Sequence, residues 1–151
     1  MNILIVVAHP DDEVLGMGGT LSKHSSNGDK IHVVYLTSGI TSRRTSGYVN
    51  KSEYETNEKD KNLMKKEIDK LKSNSLKSCK ILGVKTSIFY NLPDNELDTV
   101  PRLKIIKIIE KEILKIKPDV IYTNHYGDLN IDHRLVYESC LTACRPIKNN
   151  N

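Results

Sequence analysis

Residues His9 to Glu13, His-Pro-Asp-Asp-Glu, place an imidazole and three consecutive carboxylates directly behind an apolar run. A second cluster, Asn-His-Tyr-Gly-Asp-Leu-Asn-Ile-Asp-His from Asn124 to His133, brings two further imidazoles and two carboxylates within nine residues. Turn chemistry accounts for the first cluster alone, since Pro10 presets a turn and an Asp can cap the next helix. The second exceeds what a cap requires. Imidazoles and carboxylates, with no pair of thiols at strand ends, suit a borderline divalent ion, and zinc is the first choice. A catalytic zinc takes three protein ligands and leaves a fourth position to water, whose pKa falls to about 7. His9 and one of Asp11 or Asp12 supply two ligands, and His125 or His133 the third. The other Asp of the adjacent pair then stands beside the bound water and takes its proton as general base.

These clusters need elements that bring them together. The run from Asn2 to Ala8 reads as a buried central strand, and residues 30–39, Lys-Ile-His-Val-Val-Tyr-Leu-Thr-Ser-Gly, as a second. Between them, Val14, Leu15, Gly18 and Leu21 suit a helix whose glycines allow close packing on the sheet, ended by the turn Asn27-Gly28-Asp29. Residues 39–58 are rich in Ser, Thr and Gly and read as a long loop. Met64, Ile68, Leu71, Ser75, Cys79 and Leu82 form one face of a long helix that Gly83 stops. Residues 86–92 form a third strand, and Pro101 starts a helix carried by Ile105, Ile109, Ile113 and Ile116 until Pro118. A fourth strand at 119–124 and a closing helix from Ile131 to Ala143 complete the chain. Alternating strands and helices predict an α/β chain, a three-layer αβα Rossmann-like fold with a mainly parallel sheet. Ligands of such sheets bind at the carboxyl ends of the strands, where both clusters fall.

With 151 residues, 38% hydrophobic and 28% charged, the chain reads as one domain over 1–147 with a frayed tail at 148–151. No apolar stretch approaches the roughly 20 residues of a membrane span. The start of the chain runs from a strand into charged residues without a basic leader, and three cysteines at no disulfide-like spacing fit a reducing compartment, so a cytoplasmic protein is expected. The net charge of +4 comes from lysines scattered along helices, the pattern of a solvated face and not of a nucleic-acid footprint. A homo-oligomer is compatible with this composition.

Across nearly its whole length, through Ala-His-Pro-Asp-Asp-Glu, Leu-Thr-Ser-Gly, Leu-Pro-Asp-Asn-Glu-Leu-Asp, the second cluster and the final Ala-Cys-Arg-Pro, the chain resembles the LmbE-like, or PIG-L, zinc-dependent N-acetyl-sugar deacetylases. The resemblance implies hydrolysis of an N-acetylglucosamine conjugate, a small molecule, with release of acetate. It implies His9, Asp12 and His133 as zinc ligands and Asp11 as general base. It further implies that Asp132 orients a neighbouring imidazole or water, and that His125 and Asp128 belong to the pocket. Many relatives carry His where this chain has Asn130, a residue that donates a hydrogen bond but carries no proton charge. Relatives also commonly show Arg-x-x-Glu where this chain reads Leu-Lys-Ser-Asn from Leu71 to Asn74, and they usually continue past the Cys-Arg-Pro segment. The alternative reading is a non-catalytic or weakly active sugar- or metal-binding module of the same fold. Asp11 separates the two, because a purely structural zinc site closes its fourth position with a protein ligand and needs no carboxylate beside it.

Other chemistry-bearing residues read as structural. His24 and His32 are expected in structural or surface roles, and Cys140 and Cys144, four apart on a helix, as core. Gly-Met-Gly-Gly at 16–19 lacks the spacing of a dinucleotide fingerprint. Arg43 and Arg44 lie in the long loop, where they hold a substrate phosphate or carboxylate or are simply solvated.

Overall fold

Nearly continuous runs of Ile, Val and Leu cannot present a polar face, so the strands they form have to be covered on both sides. In a computed structural model of the chain, which describes residues 1–40 and 58–146, two such runs are β1 (Asn2–Val7) and β2 (Lys30–Thr37). With β3 (Val84–Leu92) and β4 (Val120–Thr123) they form a four-stranded, all-parallel sheet in the order β3-β2-β1-β4. Ile3 of β1 pairs with Ile31 of β2 on one side and with Val120 of β4 on the other.

The helices are α1 (Asp12–Ser26), α2 (Glu58–Ile81), α3 (Arg102–Ile116) and α4 (Ile131–Ala143), with a short 3-10 turn at Leu97–Thr99. Alternate residues of β1 face opposite ways, as the two-residue period of a strand requires. Leu4, Val6 and Ala8 pack with Ile105 and Ile109 of α3 and Val136 and Cys140 of α4. Ile3, Ile5 and Val7 pack with Leu21 of α1 and Cys79 of α2. The result is the expected three-layer α/β architecture.

This order places β1 between a neighbour reached through α1 and a neighbour reached through α3 from the far edge of the sheet. The chain therefore reverses its direction of travel across the sheet between β1 and β4. The carboxyl ends of strands at such a point leave a crevice that helices do not fill.

The helix over 131–143 coincides with α4, and α3 begins right after Pro101. Two expectations about α1 are corrected. The helix begins at Asp12, two residues before Val14, and its glycines do not mediate close packing on the sheet. A Cβ built at Gly16 or Gly19 would meet nothing within 4 Å, and at Gly18 only Val14. Leu15 is 81% exposed, while Glu13 and Leu21 are the buried residues of the helix. Met17 has non-helical torsions, so Gly-Met-Gly-Gly forms a kink. Cys140 is core as expected, whereas Cys144 is exposed. Residues 41–57, with Arg43 and Arg44, and the tail at 148–151 lie outside the described residues. Among the described residues no helix is long and apolar enough to cross a membrane.

One glycine fixes the approach of the β2 end to the first cluster. Gly39 has φ +72, and a Cβ there would lie 2.7 Å from Pro10 Cδ and 3.5 Å from His9 Cβ. An L side chain is strained in this left-handed conformation, and the contact with a proline ring has little freedom to yield. Gly39→Ala is expected to lower stability by about 1–3 kcal/mol in urea denaturation. An unchanged midpoint would show that the turn adapts without cost.

Candidate metal centre

β1 ends at Val7, and the chain then turns sharply: the N–H groups of Asp11 and Asp12 both reach the carbonyl of His9, at 3.0 and 3.3 Å. Pro10 supplies the preset torsion for this turn. Asp11 occupies the N-cap position of α1, yet its side chain makes no capping hydrogen bond, so capping does not explain the carboxylate there. Asp12 curls back, and its Oδ2 accepts from the His9 N–H at 2.9 Å. Glu13, the third carboxylate of the run, is fully buried beside Tyr35, and burial raises its pKa.

The second cluster is locked to the first through Asn124. Its Oδ1 accepts from the Ala8 N–H at 3.0 Å, and its Nδ2 donates to Asp12 Oδ2 at 3.1 Å. Beyond it, Asn130 caps α4 by accepting the Asp132 N–H at 2.9 Å. That cap places Asp132 and His133 in the first turn of α4, directed toward the end of β1.

His9 Nδ1 lies 3.1 Å from His133 Nε2 and 3.7 Å from an Asp12 oxygen, and His133 Nε2 lies 3.3 Å from the other Asp12 oxygen. Ligands bound at ~2.0–2.1 Å with tetrahedral angles stand roughly 3.3–3.4 Å apart. These three side chains therefore fit a metal ion: their donor atoms lie within 4.8 Å of one another, at separations close to that ligand spacing, and the donor set is two imidazoles and a carboxylate.

The outer nitrogen of each imidazole is also engaged. His133 Nδ1 is 2.9 Å from Asp128 Oδ2. His9 Nε2 is 3.0 Å from Asp94 Oδ1 and 3.2 Å from Asp132 Oδ2. Carboxylates in these positions fix the tautomer and leave the inner nitrogen's lone pair for a metal. Asp132 is itself held by the Asn95 and Leu97 N–H groups at 2.7 and 3.1 Å, in the loop after β3.

Burial disfavours a charged His9, but its hydrogen bonds to Asp12, Asp132 and Asp94 outweigh that and raise its pKa to about 11. Burial likewise opposes the charge on Asp12, yet hydrogen bonds from His133 and His9 hold it below the ordinary carboxylate range. The bond to Asp12 raises His133. The Asn130 N–H, followed by His133, lowers Asp128. The carboxylates of the centre thus favour the charged form of both imidazoles, and the imidazoles favour the charged form of Asp12.

Beside it lies a cleft of about 310 Å³, whose lining includes Asp12, Leu15, Asn124, His125, Asp128 and His133. His125 accepts the Gly127 N–H through Nδ1 at 3.1 Å. Of the residues singled out from sequence, His9, Asp12, Asp128, Asp132 and His133 form one contact network, His125 lines the cleft, and Asn130 acts through the α4 cap. Sequence reasoning did not single out Asn124 or Asp94 as site residues. Both stood in stretches that carried the resemblance, and Asp94 follows the carboxyl end of a third strand.

The model of the GlcNAc-PI de-N-acetylase family, PIG-L, matches residues 4–144. An uncharacterized deacetylase, YaiS of Escherichia coli, is 31% identical over 96% of this chain and 69% of its own length. Among solved structures, the N,N'-diacetylchitobiose deacetylase of Pyrococcus horikoshii is 25% identical with a TM-score of 0.64, over 94% of this chain and 48% of that one. GalB of Pseudomonas putida, a 4-carboxy-2-hydroxymuconate hydratase, superposes with a TM-score of 0.72 at 21% identity, over 94% of this chain and 55% of that one. The chain spans about half the length of these two structures. One is a deacetylase and the other a hydratase, so the fold alone does not select a reaction.

Because the carboxylates around His9 raise its pKa to about 11, a metal must displace its proton, and divalent-ion affinity is expected to rise with pH across the neutral range. Calorimetry of zinc binding near pH 7 in buffers of different ionisation enthalpy should show net proton release, reduced in His9→Ala. Equal release by the two proteins would contradict the site. Asp94→Ala leaves His9 Nε2 with Asp132 alone, and metal affinity should fall about 10- to 100-fold. Unchanged affinity would show that Asp132 suffices.

Proposed function

The chain belongs to the GlcNAc-PI de-N-acetylase (PIG-L) family, and from that premise we propose that it hydrolyses the acetamide of an N-acetylglucosamine conjugate, with zinc held by His9, Asp12 and His133. The observation that carries the reading is the convergence of two imidazoles and one carboxylate beside an open cleft, each imidazole backed by a carboxylate. Zinc bound there supplies a Lewis acid that lowers the pKa of water and polarises a carbonyl.

The chain's own groups divide the remaining work. Asp11, at the N-cap of α1 and not used as a cap, takes the proton of the attacking water. The water oxygen adds to the acetamide carbon, the C–N bond then breaks, and Asp11 returns the proton to the departing amine. Acetate and a glucosamine derivative result. His125, on the cleft wall, donates to the developing oxyanion in this reading. Asp128, Asp132 and Asp94 hold the imidazoles in place, and Asn130 sets the first turn of α4 from which His133 projects. The free thiols of Cys79, Cys140 and Cys144 support the reading of a cytoplasmic protein.

Asp11→Asn should keep its zinc and lose turnover by about 10²- to 10⁴-fold, read as acetate release from a panel of N-acetylglucosamine conjugates with matched metal content. Full activity in that variant would reject the base assignment. Sugar binding without acetate release across the panel, with and without zinc, would replace the hydrolase with a binding module.

A further inference from the structure

The sheet has a second concavity, at the amino ends of its strands and so on the opposite side of the fold from the metal centre. It has a volume of about 500 Å³, and its lining includes Asn2 of β1, Lys30 and His32 of β2, Lys85 and Thr86 of β3, and Lys115 in the last turn of α3. The lining carries three ammonium groups and no carboxylate. None of the ion pairs among the described residues involves Lys30, Lys85 or Lys115. The adjacent Asp119 accepts the Asn2 N–H at 2.7 Å, at the amino end of β1.

Each lysine taken singly has an ordinary explanation. Lys85 lies on an edge strand, where a charge discourages pairing with another chain, and Lys115 complements the carbonyl end of α3. Neither role requires the three lysines to line one hollow, and like charges in a lining that holds no carboxylate repel. In the same lining a half-buried His32 lies with Nδ1 2.7 Å from Thr86 Oγ1. Desolvation first, and then the charges of Lys85, Lys115 and Lys30, hold this imidazole below its usual pKa.

We propose that this hollow binds a compact phosphorylated small molecule bearing two or more negative charges, with Lys30, Lys85 and Lys115 around its oxygens and His32 and Thr86 as hydrogen-bond partners. A volume of about 500 Å³ falls within the range of small-molecule sites, ~300–1,000 Å³, and favours a compact ligand over an extended polymer. The assignment is independent of the deacetylase reading, because none of its residues takes part in the metal centre.

The test is a titration of the zinc-loaded protein with inorganic phosphate and, separately, inorganic pyrophosphate at about 0.15 M ionic strength, followed by NMR of the His32 imidazole and the Thr86 amide. Saturable shifts at both groups, tighter binding of pyrophosphate than of phosphate, and a rise of the His32 pKa on binding are expected. The double variant Lys85→Gln/Lys115→Gln should bind pyrophosphate about tenfold more weakly while remaining folded. If the double variant fails to fold, Lys85→Gln alone carries the test, with a loss of about threefold. Shifts that stay linear with concentration, or equal affinity in the folded variant, would overturn the proposal. A DNA duplex that outcompetes pyrophosphate at His32 would also overturn it, assigning the surface to a polymer.

Discussion

A single imidazole surrounded by three carboxylates is the interaction on which the site depends. His9 reaches Asp12 through Nδ1 and Asp94 and Asp132 through Nε2, and these acids come from three different connections between strand and helix. Burying that much opposite charge is costly unless nearly every oxygen and nitrogen is paired. Asp132 illustrates how the pairing is achieved: fully buried, it receives two backbone N–H groups from the loop after β3 in addition to His9. The cluster thereby binds the ends of β1 and β3 to the start of α4, and no one of these segments can shift without stranding a charge.

The sheet order makes this arrangement available. β1 and β4 are neighbours although more than a hundred residues separate them, and Asn124 turns that adjacency into side-chain geometry. One amide oxygen extends the pairing of β1, and the amide nitrogen of the same group fixes Asp12. Asp12 therefore meets the metal position already held by backbone and by amide, with one oxygen near each imidazole. Preorganisation of this kind is what a small domain needs if it is to hold a divalent ion in competition with protons on its imidazoles.

The two ends of the sheet differ in electrostatic character. At the carboxyl ends, imidazoles and carboxylates alternate and neutralise one another around a cleft. At the amino ends, lysines from β2, β3 and α3 face a half-buried imidazole without acidic neighbours in the lining. A net charge of +4 spread over 151 residues conceals this division, since composition sums charges that the fold separates.

Much of the architecture was legible from residue order. The apolar run of β1, the isoleucine spacing of α3 bounded by Pro101 and Pro118, and the strand-helix alternation each follow from local rules of burial period and backbone restriction. The two clusters were legible too, because short loops at strand ends carry their chemistry in consecutive letters, but those letters left open which Asp of the adjacent pair and which later His face the site. Pairing across the sheet was not. That His9 presents Nδ1 inward, that Asp94 and Asp132 share its other nitrogen, and that Asn124 braces Asp12 are consequences of which strands lie side by side. The helix face of α1 misled for the same reason: Val14 and Leu15 fit an apolar stripe, yet the crevice at the sheet's point of reversal leaves Leu15 exposed and draws Glu13 inward. Local periodicity reports which side of a helix is apolar, while the position of neighbouring strands decides which side is covered. For this protein the sequence by itself determined the order of the elements and the residue types of the candidate metal centre, and the tertiary structure alone decided which atom of each residue faces the site.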